Sequence, residues 1–317
     1  MALLDATLAL MQAEYQKPEV AWRAAPLSPK DRSFLEKECR VTVGFDPKGW
    51  RKEMYDRYKR GEARSEIREC AFGHVVVIYD NETQEVPWGL WGRILRLYHT
   101  PKSVKPRIYL LAHPALREFP KHAYPIGPLH INGGYNYPCN VEAVLIYRAE
   151  DATRVLIHEL QHASCLDSAP ERPAILSRES RETEPTPERP AILSRESRET
   201  DNHDHNHLDA VEAETEAWAE LLYAGVLSQG KSAVFHRLVN IQARWMAEQN
   251  TRVRQFIGES QKFPWRYTVA KEEVWRRWGI ALPRSLGTAT SQSLRLTPPP
   301  AAALKRVFGV STDSTIL

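Results

Sequence analysis

The chain has 317 residues, 42% of them hydrophobic, enough to bury a sizeable core in one or two domains. Its formal net charge of +3 comes without a clustered basic stripe, which argues against a nucleic-acid partner. No run approaches the roughly 18 apolar residues of a membrane span, and the first eleven residues hold Asp5 without a basic leader, so neither a membrane partner nor a signal peptide is expected.

In chain order, residues 48–64 are charged and aromatic at helical spacing, and residues 73–79 form a β-branched run that ends at a turn-forming Asp80-Asn81 pair. Residues 88–99 place Trp91, Leu95 and Tyr98 at helical spacing, and 107–112 are apolar enough for a buried strand. The stretch 129–137 precedes a second strand at 141–147, which runs almost directly into a helix opening at Asp151. Cys39, Cys70, Cys139 and Cys165 lack C-x-x-C spacing and are expected to be reduced thiols of an intracellular protein, with Cys165 packed as a small hydrophobe on the helix.

The segment 170–183 recurs without a change at 187–200. Two copies cannot build a solenoid, and the composition is polar, Pro-rich and poor in aromatics, so 168–207 is expected to be a disordered insertion. It ends in His203, His205 and His207, a tract that binds metal loosely if at all. Helices are expected over 208–227, 232–257 and 270–278, and a flexible Ser/Thr/Pro-rich tail over 283–317. The expected organisation is an N-terminal α/β region (1–100), a catalytic core (101–282) carrying the insertion, and the tail. The fold class is α+β, with a small mixed sheet packed on the helix at 151–162 and a helical C-terminal part.

The most informative stretch is His158-Glu159-Leu160-Gln161-His162. Histidines at i and i+4 stand one above the other on a helix, so both imidazoles can reach one Zn²⁺ ion. Glu159 lies about 100° round the helix, where it suits a general base acting on a metal-activated water. Leu156, Leu160 and Ala163 cluster on another face, leaving one side for core and one for metal. A catalytic zinc needs a third ligand. The extended pattern with a further histidine is disfavoured, because Cys165 and Ser168 occupy its glycine and histidine positions. Asp167 reads as a helix-ending residue or as an acceptor for a histidine N–H. On the next helix Glu212, Glu216, Glu220 and Tyr223 share one face, while Glu214 lies with Trp218 and Leu221 on the opposite one.

H-E-x-x-H followed by a glutamate on a second helix resembles the gluzincin metallopeptidases. More closely, Ile131-Asn132-Gly133-Gly134-Tyr135, Ile146-Tyr147-Arg148, Val155 to His162, Leu166-Asp167 and Thr215-Glu216-Ala217-Trp218-Ala219 resemble the metallopeptidases encoded by large nucleocytoplasmic DNA viruses, over roughly residues 105–280 without the insertion. The resemblance implies a zincin-like fold in which an edge strand packs on the H-E-x-x-H helix, and a location in host cytoplasm or virion. By position it implies His158, His162 and Glu216 as zinc ligands, with Glu212 or Glu220 supporting a bound histidine from outside the ligand set.

The function expected is hydrolysis of a peptide or protein substrate with Glu159 as general base. Tyr223, Tyr135 and His236 are candidates to stabilise the oxyanion. Residues 129–137 are expected to supply the edge strand, with Gly133 and Gly134 allowing an extended substrate to approach. The alternative is a non-enzymatic zincin-like interaction protein that keeps zinc for stability. An intact Glu159 speaks against it, since a structural site has no use for that base.

Overall fold

A computed structural model describes residues 2–80, 86–100, 104–120, 126–168, 202–257, 265–282 and 292–299. The repeat at 170–200 lies outside the described residues. Helix α1 (Ala2–Tyr15) leads into a short strand β1 (Arg23–Ala24), then α2 (Pro29–Glu38) and α3 (Trp50–Lys59). Strands β2 (Arg64–Cys70) and β3 (Gly73–Tyr79) form a hairpin, followed by α4 (Trp88–Tyr98), β4 (Arg107–His113), α5 (Pro128–Ile131), β5 (Gly134–Tyr135) and β6 (Val144–Arg148). The C-terminal part is helical: α6 (Ala152–Ala163), a 3-10 turn at Leu166–Ser168, α7 (Asn202–Ser228), α8 (Ser232–Ile257), and a π-turn at Trp265–Val269 running into α9 (Ala270–Arg277).

The six strands form one mixed sheet in the order β1-β2-β3-β4-β6-β5. The central pairs β3–β4 and β4–β6 are parallel, and the outer pairs are antiparallel. Helices cover both faces, which is why the central strands read as continuous apolar runs. Val75, Val77, Ile108, Leu110, Val144 and Ile146 face the larger core with α1, α4, α6 and α7. Val76, Ile78, Tyr109, Leu111, Leu145 and Tyr147 face a second core beneath α2 and α3.

The sheet crosses the boundary expected near residue 100, since β3 pairs with β4 over six residues. Residues 1–100 therefore share their cores with strands β4 and β6. The helix expected over 48–64 ends at Lys59, and after a turn strand β2 begins at Arg64. Its face opposite Ile67 is charged, with Arg64, Glu66 and Arg68, so it lacks the apolar run that marks β3. Helix α7 starts within the histidine tract expected to be disordered.

Part of the expected tail is also built into the fold. Leu294 and Leu296 are fully buried with Phe119, Ile131 and Val253, and Leu294 N donates to Arg117 O at 2.8 Å. A Ser/Thr/Pro-rich composition hides two such leucines. No helix among the described residues is long and apolar enough to cross a membrane.

Candidate metal centre

Strand β6 ends at Arg148 and α6 begins at Ala152, so the chain turns within three residues. Asp151 makes the turn in the left-handed region (φ 68°), which aspartate tolerates better than most residues. Its carboxylate receives Arg154 Nε at 3.1 Å, the Arg295 guanidinium at 3.1 Å and the Thr297 hydroxyl. These cations outweigh the cost of burial and lower its pKa to about 2. On the other side α4 clasps the helix: Trp91 Nε1 donates to Thr153 Oγ1 at 2.9 Å, and Tyr98 donates to Ile157 O at 3.2 Å. Every residue of α6 is buried, which excludes a surface helix with two chance histidines.

Helix α7 packs antiparallel on α6, and their polar residues meet in steps of one turn. Arg154 contacts Glu216, His158 lies between Glu216 and Glu212, and His162 meets Glu212. His158 Nε2 is 3.2 Å from Glu212 Oε1, His162 Nε2 is 3.5 Å from Glu212 Oε2, and the two Nε2 atoms are 3.0 Å apart. Donors bound tetrahedrally to zinc at roughly 2.05 Å stand about 3.3 Å from one another. His158, His162 and Glu212 therefore form a cluster that can hold a metal ion.

The other ring nitrogens are backed by carboxylates. His162 Nδ1 lies 2.7 Å from Asp167 Oδ2, as expected for an acceptor just past the helix end, and His158 Nδ1 lies 3.4 Å from Glu216 Oε1. The Asp167 contact fixes the His162 tautomer that turns Nε2 toward a metal, while the Glu216 contact is a proximity without a hydrogen bond. Burial opposes charge at His162, yet Glu212 and the Asp167 hydrogen bond more than offset it and raise its pKa to about 10. Burial likewise opposes charge on Glu212, but the two histidines hold its carboxyl well below the usual range.

Glu212, expected to support from outside, meets both Nε2 atoms, while Glu216, expected as ligand, pairs with Arg154 and backs His158. Helical angles put both on one face, but only the axial offset between α6 and α7 decides which one reaches the metal donors. Arg154 sets part of that offset, and it sits one turn before His158 on the same stripe, a signal present in the sequence.

Other candidates lie elsewhere. Glu220 is fully buried against Lys271, away from both histidines, and burial pushes its pKa up to about 7 despite the lysine. The Tyr135 hydroxyl donates to Glu38 at 2.7 Å and accepts from Arg51 on the opposite face of the sheet. Burial holds the Tyr223 hydroxyl above its ordinary range, among Arg295, Asp151 and Arg154. His236 is exposed on α8 beside Phe235.

Glu159 is 5% exposed, and burial raises its pKa against the opposing pull of His158 and His162. Asn136, just past β5, donates its Nδ2 to both Glu159 Oε2 and Glu159 O at 2.8 Å. No sequence signal marks this role, because only the fold brings residue 136 to residue 159.

Strand β5 is an edge strand beside α6, but it spans Gly134–Tyr135 and not the 129–137 expected, because Pro128–Ile131 form helix α5. Gly133, just before β5, and Gly134 serve internal packing. A Cβ on Gly133 would lie 1.9 Å from Arg117 Nη2, and one on Gly134 would lie 2.6 Å from Val155 Cγ1 and 2.9 Å from Leu145 O.

The thiol expectation holds for Cys39 and Cys70, which are free and buried, and is corrected for the other pair. Cys139 and Cys165 form a disulfide with Cα atoms 4.8 Å apart, within the range such bonds require. Cys165 follows α6 in the left-handed region (φ 56°) instead of packing on it. The thiol argument for an intracellular location therefore no longer covers this pair.

Compared with protein-family models, curated proteins and solved structures, the chain finds no match.

Proposed function

We propose that the chain is a zinc-dependent metallopeptidase of zincin-like fold. The observation that carries the reading is the convergence of His158 Nε2, His162 Nε2 and the two oxygens of the Glu212 carboxylate, Oε1 3.2 Å from His158 and Oε2 3.5 Å from His162, with Glu159 on the adjoining face of the same helix. Two histidines and one carboxylate are a donor set of catalytic zinc sites, which leave one position open for water or substrate. When bound, zinc supplies Lewis acidity, lowering the pKa of a water and polarising a carbonyl.

The remaining steps belong to the protein. As the ionised carboxylate, Glu159 would take a proton from the attacking water, and the burial that raises its pKa would favour holding that proton until it passes to the leaving amine. Asp167 would keep the His162 imidazole oriented with Nδ1 away from the metal, and Glu216, 3.4 Å from His158 Nδ1, is placed to do the same for His158. The resemblance to viral metallopeptidases and the edge strand β5 beside α6 support a peptide or protein as substrate.

The test pairs metal analysis with cleavage of a peptide library, with and without a chelator. The expected result is about one equivalent of zinc and chelator-sensitive cleavage. Glu159→Gln should keep the zinc and lose roughly 10² to 10⁴ in rate. Unchanged hydrolysis in that variant would refute the assignment, and zinc binding without any cleavage would favour an interaction protein.

A further inference from the structure

Residues 134–139 and 165–167 lie against the last two turns of α6, and both segments carry a polar side chain into the site. Asn136 holds Glu159, and Asp167 holds His162. Each is within three residues of a half-cystine. Both Cys139 N and Cys165 N donate to the same carbonyl, His162 O, at 3.1 Å. Both cysteines adopt positive φ (60° and 56°), where non-glycine residues persist only if their surroundings hold them. The disulfide between them supplies that restraint, closing residues 136–140 onto the end of the metal helix.

Asn136 is well suited to fix a carboxylate. The two hydrogens of its one amide nitrogen reach Glu159 Oε2 and Glu159 O, so the side chain is held relative to its own backbone. The opposite side of that carboxylate faces β5, since a Cβ on Gly134 would stand 3.1 Å from Glu159 Oε1. With one lone pair of Oε2 taken by Asn136, the orientation of the carboxylate is set relative to the helix.

We propose that Asn136 is a positioning residue for Glu159 and that the Cys139–Cys165 disulfide holds it in place. The catalytic meaning of this rests on the metallopeptidase reading. Reduction by a dithiol breaks the S–S bond, the reductant gives up two electrons and closes to its own disulfide, and two protonated cysteines remain. The segment after Asn136 then loses its covalent tie and keeps the Cys139 N to His162 O hydrogen bond to α6.

The experiment uses the full-length zinc-loaded protein. Asn136→Ala should lower kcat about 10- to 100-fold, as misplacing a reacting group does, with KM within about twofold and zinc content unchanged. Dithiothreitol, at a concentration shown to leave the zinc content unchanged, should reproduce part of that loss in the unaltered protein and add nothing to Asn136→Ala. An equal loss on reduction in both proteins would show that the disulfide does not act through Asn136. A second readout needs no activity: the side-chain amide resonance of Asn136 should move in Glu159→Ala and on reduction. An amide signal indifferent to Glu159→Ala would overturn the proposal. If the unaltered protein cleaves no peptide, the metallopeptidase reading fails, while the amide signal still decides whether Asn136 holds Glu159.

Discussion

Replacing Glu212 and Glu216 separately by alanine separates ligand from support, because the structure gives the two residues different partners. Glu212 meets both metal-facing nitrogens, at 3.2 and 3.5 Å. Structural zinc sites bind with about 10–16 kcal/mol, so one ligand of four carries roughly 3–4 kcal/mol. Glu212→Ala should then weaken zinc binding about 10²- to 10³-fold. In the metal-free protein it should cost little, about 1 kcal/mol, since its side chain is 12% exposed and water can replace its contacts.

Glu216→Ala should do the opposite. Zinc binding should weaken only about 10- to 100-fold, the effect of removing a partner that orients a bound histidine. The metal-free fold should lose about 3 kcal/mol, because Arg154, 3% exposed, keeps Asp151 but loses its second carboxylate partner. For a chain of this length that is a fall of about 5 °C in melting temperature. Zinc titration against a competing chelator reads the first quantity, and thermal melting of the chelated protein reads the second. If Glu216→Ala lost more zinc than Glu212→Ala, the register between α6 and α7 would be one turn away from the one described.

Three further outcomes come from the packing. Leu294→Ala and Leu296→Ala should each cost about 2–5 kcal/mol in urea denaturation, as fully buried leucines do; losses under about 1 kcal/mol would mean that 292–299 is not part of the core. Gly134→Ala should destabilise by about 1–3 kcal/mol even without substrate, since its Cβ would press on Val155 and on the β6 backbone at Leu145 O; a neutral effect would show slack between β5 and α6. At Asp31, hydrogen bonds from His74 and Ser28 outweigh burial and hold the carboxyl below its ordinary range, with Arg107 at 2.5 Å. A lowered pKa contributes stability above the unfolded-state value near 4 and loses it as pH falls below that. Asp31→Asn should therefore lower the melting temperature at pH 7 and flatten its decline below pH 4, and an unchanged acid limb would contradict the buried ion pair.

Local pattern determined much of this protein. The apolar runs of β3, β4 and β6 and the periodicity of α4, α6, α7 and α8 mark those elements, because burial on both sheet faces and 3.6-residue spacing leave direct traces in residue order. His158, Glu159 and His162 were equally legible, since a single helical turn fixes their mutual placement. So was Asp167 as a partner of His162, five residues away on the same short segment.

The rest depended on contacts between segments distant in sequence. Glu212 and Glu216 share one helical face, and only the sliding of α7 along α6, set by Arg154 and by Gln161 Nε2 donating to Thr215 O, chose between them. Cys139 and Cys165 carry no pairing signal in their spacing; strand β6 and helix α6 between them bring their Cα atoms to 4.8 Å. Leu294 and Leu296 lie in polar, Pro-rich surroundings and gain their burial from Phe119, Ile131 and Val253. Turn geometry and periodicity are local and can be read along a chain, whereas the offset between two packed helices is a property of the space between them.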